Sequence, residues 1–254
     1  MAGIPLSDDY RVRRVPAVTY LLIAANVSVY LLSPMSMLAF WYGDSLMARL
    51  CPIDIYVAQW GAIPVELLSG QQLPYSGECS GADYTKIPWV SAFTAMFLHG
   101  DAIHLLSNMV YLFVFGPVVE DRLGRLRYLG LYTVTGLIAT YAYALGTPDA
   151  DMPLVGASGA VSGVLGAYLL VQRRSRIIFL ALFVLPIRLP GWVLVGTYFV
   201  IQYFLYVSVS LFPGADGGNV AYAAHVYGFI GGVIGGLLIH RIRWRSGTRL
   251  SDVY

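Results

Sequence analysis

Two polar residues stand at the mouths of apolar runs: a serine in Gly156-Ala157-Ser158-Gly159 and a histidine in Ala224-His225-Val226-Tyr227-Gly228. A serine hydroxyl is a weak nucleophile until a neighbouring base takes its proton, and neutral imidazole does so near pH 7. The pair reads as nucleophile and general base, and hydrolytic acyl transfer is the natural reaction. Ser158 also starts its run, and at a helix start the unpaired N–H groups and the positive dipole end favour a developing anion. A second set begins Phe97-Leu98-His99-Gly100-Asp101 and continues through His104 and Asn108. His104 and Asn108 are four apart, on one helical face, where they can donate hydrogen bonds to a tetrahedral oxyanion beside the Ser158 N–H. Singly, each has a plainer account: Ser158 as a small packing residue or one bonding its own backbone, His225 as a satisfied buried histidine. Together they favour chemistry.

The elements that must hold these residues are membrane helices. With 57% hydrophobic residues, 12% charged and a mean hydropathy of +0.66, the 254 residues exclude an ordinary soluble domain, whose charged fraction is about a quarter. Apolar runs near 17–40, 102–119, 126–146, 156–172, 191–211 and 220–240 approach the roughly 20 residues that cross a bilayer. Six spans and an all-α bundle are expected, the first run being a span and not a cleaved leader. The stretch Ile177–Ile187 is short and broken by Pro186, so we expect it to lie at an interface.

Arginines gather at 11, 13 and 14, at 122, 125 and 127, at 173, 174 and 176, and at 241, 243, 245 and 249, always on one side of the expected spans. The opposite loops hold Arg49 and Lys86 among many carboxylates, so the positive-inside rule makes both termini cytoplasmic. The net charge of +2 is then a topology signal and no nucleic-acid patch. One domain over 1–254 is expected, with a cytoplasmic tail (1–16), an outer loop (42–88), a catalytic core (88–240) and a second tail (241–254). Within the outer loop, Ile53–Ala58 and Ile63–Leu68 read as short amphipathic segments on the membrane surface. Cys51 and Cys79 share that loop, as a disulfide or as two thiols, and neither suggests a metal site.

Small residues concentrate in two runs: Gly156, Gly159, Gly163 and Gly166 in the fourth, Gly228, Gly231, Gly232, Gly235 and Gly236 in the sixth. Without side chains helix axes approach closely, so the helices carrying Ser158 and His225 are those best suited to touch. His225, Gly228, Gly232 and Gly235 share one face, which turns the imidazole toward another helix. Gln202 in the fifth run reads as bonding a neighbouring helix, His99 as structural, and His240 as part of a basic-aromatic boundary.

His104-x-x-x-Asn108, Glu120-x-x-x-Gly124, Gly156-Ala157-Ser158-Gly159 and Ala224-His225-x-x-Gly228-x-x-x-Gly232 resemble, in order and spacing across roughly 88–240, the rhomboid family of intramembrane serine proteases. The resemblance implies a six-helix bundle with a water-filled cavity open to the outer side, a Ser158–His225 dyad without a carboxylate, and an oxyanion hole from His104, Asn108 and the Ser158 N–H. It implies no cofactor and no metal, single-pass membrane proteins as substrates, and a packing role for Glu120. The fifth run and the loop with Gly217 and Gly218 resemble the family's mobile gate and cap. Two features depart from the pattern: Trp89-Val90 lacks the usual Trp-Arg, and Ser162 stands where many members stack an aromatic on the catalytic imidazole, a task left to Tyr222 or Tyr227. The expected setting is a prokaryotic cell membrane with the site facing outward. A catalytically silent rhomboid-like protein that binds membrane clients is the alternative, and a small transporter or channel a third reading that the absence of repeats disfavours.

Overall fold

The computed structural model describes residues 3–75, 77, 79, 84–172, 174–182, 184–211 and 221–245, without the side chains of 240–245. The chain runs β1 (Gly3–Asp8), α1 (Ala17–Leu32), α2 (Leu46–Trp60), α3 (Pro64–Ser69), α4 (Pro88–Thr94), α5 (Ala102–Leu123), α6 (Arg125–Gly146), α7 (Ser158–Val171), β2 (Arg176–Ala181), β3 (Leu185–Pro190), α8 (Gly191–Leu211) and α9 (Tyr222–Arg245). Among the described residues four helices, α5, α6, α8 and α9, are long and apolar enough to cross a membrane; α1 and α7 are apolar but shorter. The first helix falls short of the expected run to residue 40 because Ser33 precedes Pro34, and a residue before proline is pushed out of the helical region.

The all-helical expectation gives way to an antiparallel sheet of order β1-β2-β3, whose β2 and β3 take up the Ile177–Ile187 stretch read as too short to cross. Its sequence logic is local. Proline cannot donate to a ladder and is confined to sheet edges; Pro5, Pro186 and Pro190 all fall in the edge strands, and the central strand Arg176-Ile-Ile-Phe-Leu-Ala has none. Ile177 and Phe179 alternate inward, as a half-buried strand requires. Part of the expected N-terminal tail is thus β1, fastened where the Tyr168 hydroxyl at the foot of α7 donates to Asp8. Burial raises the pKa of that carboxyl. The N-terminus and the segment after α7 therefore share one end of the bundle.

Helix starts are set by side chains near and far. Asp101 caps α5 by accepting from the His104 N–H at 2.8 Å, and Ser45 caps α2 through the Ala48 N–H. α1 follows Pro16, which offers no capping side chain, and its cap comes from α5. Glu120 is buried and accepts from the N–H groups of Val18 (3.1 Å) and Thr19 (2.8 Å) and from the Thr19 hydroxyl (2.8 Å). Hydrogen bonds to a charged acceptor contribute more than neutral ones. Glu120→Ala should therefore cost about 3 kcal/mol of stability, read as a lowered unfolding midpoint in detergent; an unchanged midpoint would remove Glu120 from this role.

The segment expected as the outer loop is folded. α2 and α3 stand where short surface segments were expected, and Cys51 and Cys79 form a disulfide. Its two basic residues are both buried. Arg49 donates to the carbonyls of Gly43 (2.7 Å), Ser36 and Met37, and Lys86 meets Glu66 at 2.5 Å and the Ala58 carbonyl at 2.8 Å. Burial lowers the Lys86 pKa against the pull of Glu66.

Candidate active site

Ser158 is the first residue of α7, so its N–H is among the four that a helix leaves unpaired. The approach to it is pinned from outside the helix. Leu154 exchanges two backbone hydrogen bonds with Ala62 between α2 and α3 (2.8 and 3.0 Å), and the Gly156 N–H donates to the Ala95 carbonyl at 2.9 Å. Gly156 has φ +129°, where a side chain is strained, and a Cβ there would lie 2.9 Å from the His104 ring and 3.5 Å from Ser158 Oγ. Glycine at 156 thus lets His104 and Ser158 converge on one point.

His225 enters on the first turn of α9, and its Nε2 lies 2.8 Å from Ser158 Oγ. The two helices make that distance possible by touching along their backbones. A Cβ on Gly228 would overlap the Gly159 carbonyl, one on Gly232 the Gly163 carbonyl, and one on Gly166 the Phe229 carbonyl. Both polar groups are half-buried.

The other ring nitrogen, Nδ1, is 2.8 Å from Gln202 Oε1 on α8. The neighbour of Gln202 was legible as some helix, and the structure makes it the candidate base. Ser162, in place of an aromatic, bonds the Tyr198 hydroxyl at 2.7 Å. The ring beside His225 is Tyr222, edge-on with centroids 6.3 Å apart; Tyr227 pairs instead with Tyr206. Asn108 is buried and one of its amide hydrogens goes to the His104 carbonyl at 3.0 Å, which leaves its second.

A void of about 10 Å³, roughly one water, lies against Ser158 between Gly156, Thr140 and Ala224. A larger cavity, about 530 Å³, is at the opposite end between Arg14, Glu120, Arg125 and Arg127 and touches none of these residues. Among the described residues no three His, Cys, Asp or Glu side chains cluster as metal ligands do. Gly217 and Gly218 of the expected cap, and the side chain of His240, lie outside the described residues.

His99 packs edge-on against His104, centroids 5.1 Å apart, and is 2% exposed. Burial, with the His104 ring second, pushes its imidazole down to about 4. The unfolded chain takes that proton near 6.5, so between about 6.5 and 4 the unfolded state holds more protons and stability falls with pH, by on the order of 3 kcal/mol in all. His99→Phe should flatten this acid loss in unfolding curves taken at pH 7.5 and pH 4.5. A variant as acid-sensitive as wild type would show that other groups carry it.

The Rhomboid domain family matches residues 87–242, more than half of the chain. The chain is 30% identical to the rhomboid protease GlpG of Haemophilus influenzae over 59% of its own length and 69% of that protein. It is 30% identical to the rhomboid protease GluP of Bacillus subtilis over 57% of its own length and 25% of that protein. Against the mitochondrial Rhomboid protein 1 of Saccharomyces cerevisiae the identity is 31%, over 60% of this chain and 42% of the other. With several of its relatives the match spans only a quarter to two-fifths of their length. A family match over the segment that carries Ser158, Gln202 and His225, on a bundle of apolar helices, makes this an integral membrane protein that belongs to the rhomboid family.

Proposed function

We propose that the chain is an intramembrane serine endopeptidase that hydrolyses peptide bonds in or near transmembrane segments of single-pass membrane proteins. The observation that carries this reading is the 2.8 Å approach of His225 Nε2 to Ser158 Oγ at the start of an apolar helix buried in the bundle. Ser158 Oγ attacks the scissile carbonyl carbon as its proton passes to Nε2. The carbonyl oxygen becomes an oxyanion that the Ser158 N–H, His104 and the free Asn108 amide hydrogen are positioned to receive. Nε2 then protonates the departing amine, and water, deprotonated by the same nitrogen, releases the acyl group and restores the serine. No carboxylate, metal or nucleotide has a part in these steps.

In this reading α1, α5, α6, α7, α8 and α9 are six spans with both termini cytoplasmic and the dyad near the outer face of a prokaryotic cell membrane. The glycines at 156, 159, 228 and 232 serve by bringing the two catalytic helices together. A silent, client-binding protein would have no use for a serine and imidazole in hydrogen-bond contact, and that contact favours the enzyme.

The test is cleavage of a fluorogenic transmembrane peptide by the protein in liposomes, with and without chelator, beside labelling by a fluorophosphonate. Metal-independent cleavage and labelling confined to Ser158 are expected. Absence of both in a folded protein would favour the client-binding alternative.

A further inference from the structure

His225 offers two nitrogens, and a neutral imidazole carries one N–H between them. A proton on Nδ1, donated to Gln202 Oε1, leaves the Nε2 lone pair facing Ser158, the form a base must have. A proton on Nε2 would make that nitrogen a donor and unable to take the serine proton. The 2.8 Å contact to Gln202 and the 2.8 Å contact to Ser158 are therefore one linked choice. We propose, resting on Ser158 and His225 as nucleophile and base, that Gln202 is a positioning residue which holds His225 in its Nδ1–H tautomer with Nε2 aimed at the serine.

The seat of Gln202 supports this. On α8, Tyr198, Phe199, Gln202 and Tyr206 recur at helical spacing and form one face toward α7 and α9. Tyr198 bonds Ser162 at 2.7 Å, Phe199 stacks on Phe229 with centroids 4.6 Å apart, and Tyr206 meets Tyr227 at 3.4 Å. These contacts bracket Gln202 on both sides and fix where its amide points. An amide oxygen accepts the Nδ1 proton without placing a second charge among apolar helices, which a carboxylate would do at much greater desolvation cost. When the serine proton reaches Nε2 the ring becomes cationic, and the Nδ1–H bond to Gln202 becomes charge-assisted. It is stronger in the transition state than before it, so its loss falls on kcat.

Two measurements test the role. The first is a ¹⁵N spectrum of histidine-labelled wild-type protein at neutral pH; the chain has four histidines, and the His225 signals are those missing from His225→Ala. Nδ1 protonated and Nε2 bare is expected; the reverse overturns the proposal without any change at position 202. The second compares Gln202→Met, similar in size and without the acceptor, with Gln202→Glu, which keeps one. Gln202→Met should lose roughly ten- to a hundredfold in kcat, the range a hydrogen bond to a charged group is worth, with little change in KM and with the tautomer no longer fixed. Gln202→Glu should recover most of that loss. Wild-type kcat in Gln202→Met, or equal losses in both variants with the tautomer unchanged, would overturn the proposal. Ser158→Ala, run in parallel, separates the two levels: if it still cleaves, Ser158 is not the nucleophile and the dyad reading fails, and if it is silent while Gln202→Met is fully active, only Gln202 loses its role.

Discussion

Ser158→Ala should lower peptide hydrolysis by roughly four to six orders of magnitude and leave the fold intact. The size follows from removing the atom that bonds to substrate carbon; what survives is the small effect of substrate binding and of the remaining oxyanion donors on attack by water. The intact fold follows from the local structure. The hydrogen bond described for Ser158 Oγ is the one to His225, the residue is half-buried, and alanine is a good helix former at the start of α7. Stability should therefore stay within about 1 kcal/mol of wild type, which unfolding in detergent would measure beside turnover in liposomes. Labelling by fluorophosphonate should vanish with activity. Residual cleavage above about one part in a thousand, in a preparation free of other proteases, would move the nucleophile elsewhere, because even an oxyanion hole without its serine leaves only about 10³- to 10⁴-fold over water.

What was legible in the sequence, and what was not, divides by range. The glycine faces of the fourth and sixth runs could be read because helical spacing alone puts Gly228 and Gly232 on the side of His225, and small residues permit one kind of neighbour. The start of α5 falls where the second apolar run was read from 102, while the cap that fixes it, Asp101 accepting from the His104 N–H, came only with the structure. Pro34 marks the end of α1 at Leu32, and the long apolar run beyond it concealed that stop. The sheet was not legible: its central strand pairs on one side with residues about 170 positions earlier, and a six-residue apolar segment has no periodicity that separates strand from helix. Nor was the partner of Gln202, for 23 residues of chain give no geometry. Arg49 and Lys86 carry a subtler lesson. They looked like exceptions to the charge asymmetry of the loops, and their burial against carbonyls and Glu66 takes both off the surface.

The same close packing makes a single methyl group the second large perturbation expected of this chain. A Cβ on Gly232 would fall inside the Gly163 carbonyl oxygen, carbon and Cα, all of them backbone of α7. A side chain in the way can turn aside, but a helix backbone can only move as a whole, so Gly232→Ala must push α9 from α7. Overpacking of this kind costs about 3 kcal/mol or more when the neighbour cannot relax. The displacement also acts on chemistry, because α7 carries Ser158 and α9 carries His225 across their 2.8 Å contact. A shift of about 1 Å is enough to lose a hundredfold in rate. Gly231→Ala supplies the control on the next residue: its Cβ would stand 3.6 Å from Ile138 and Thr135 side chains, an ordinary contact, and alanine raises helix propensity. Unfolding midpoints and turnover should therefore separate two identical chemical changes one residue apart, Gly232→Ala losing both and Gly231→Ala keeping both. Equal behaviour would mean that the helices are not held at backbone contact, and the distance between the serine and the imidazole would then need another cause.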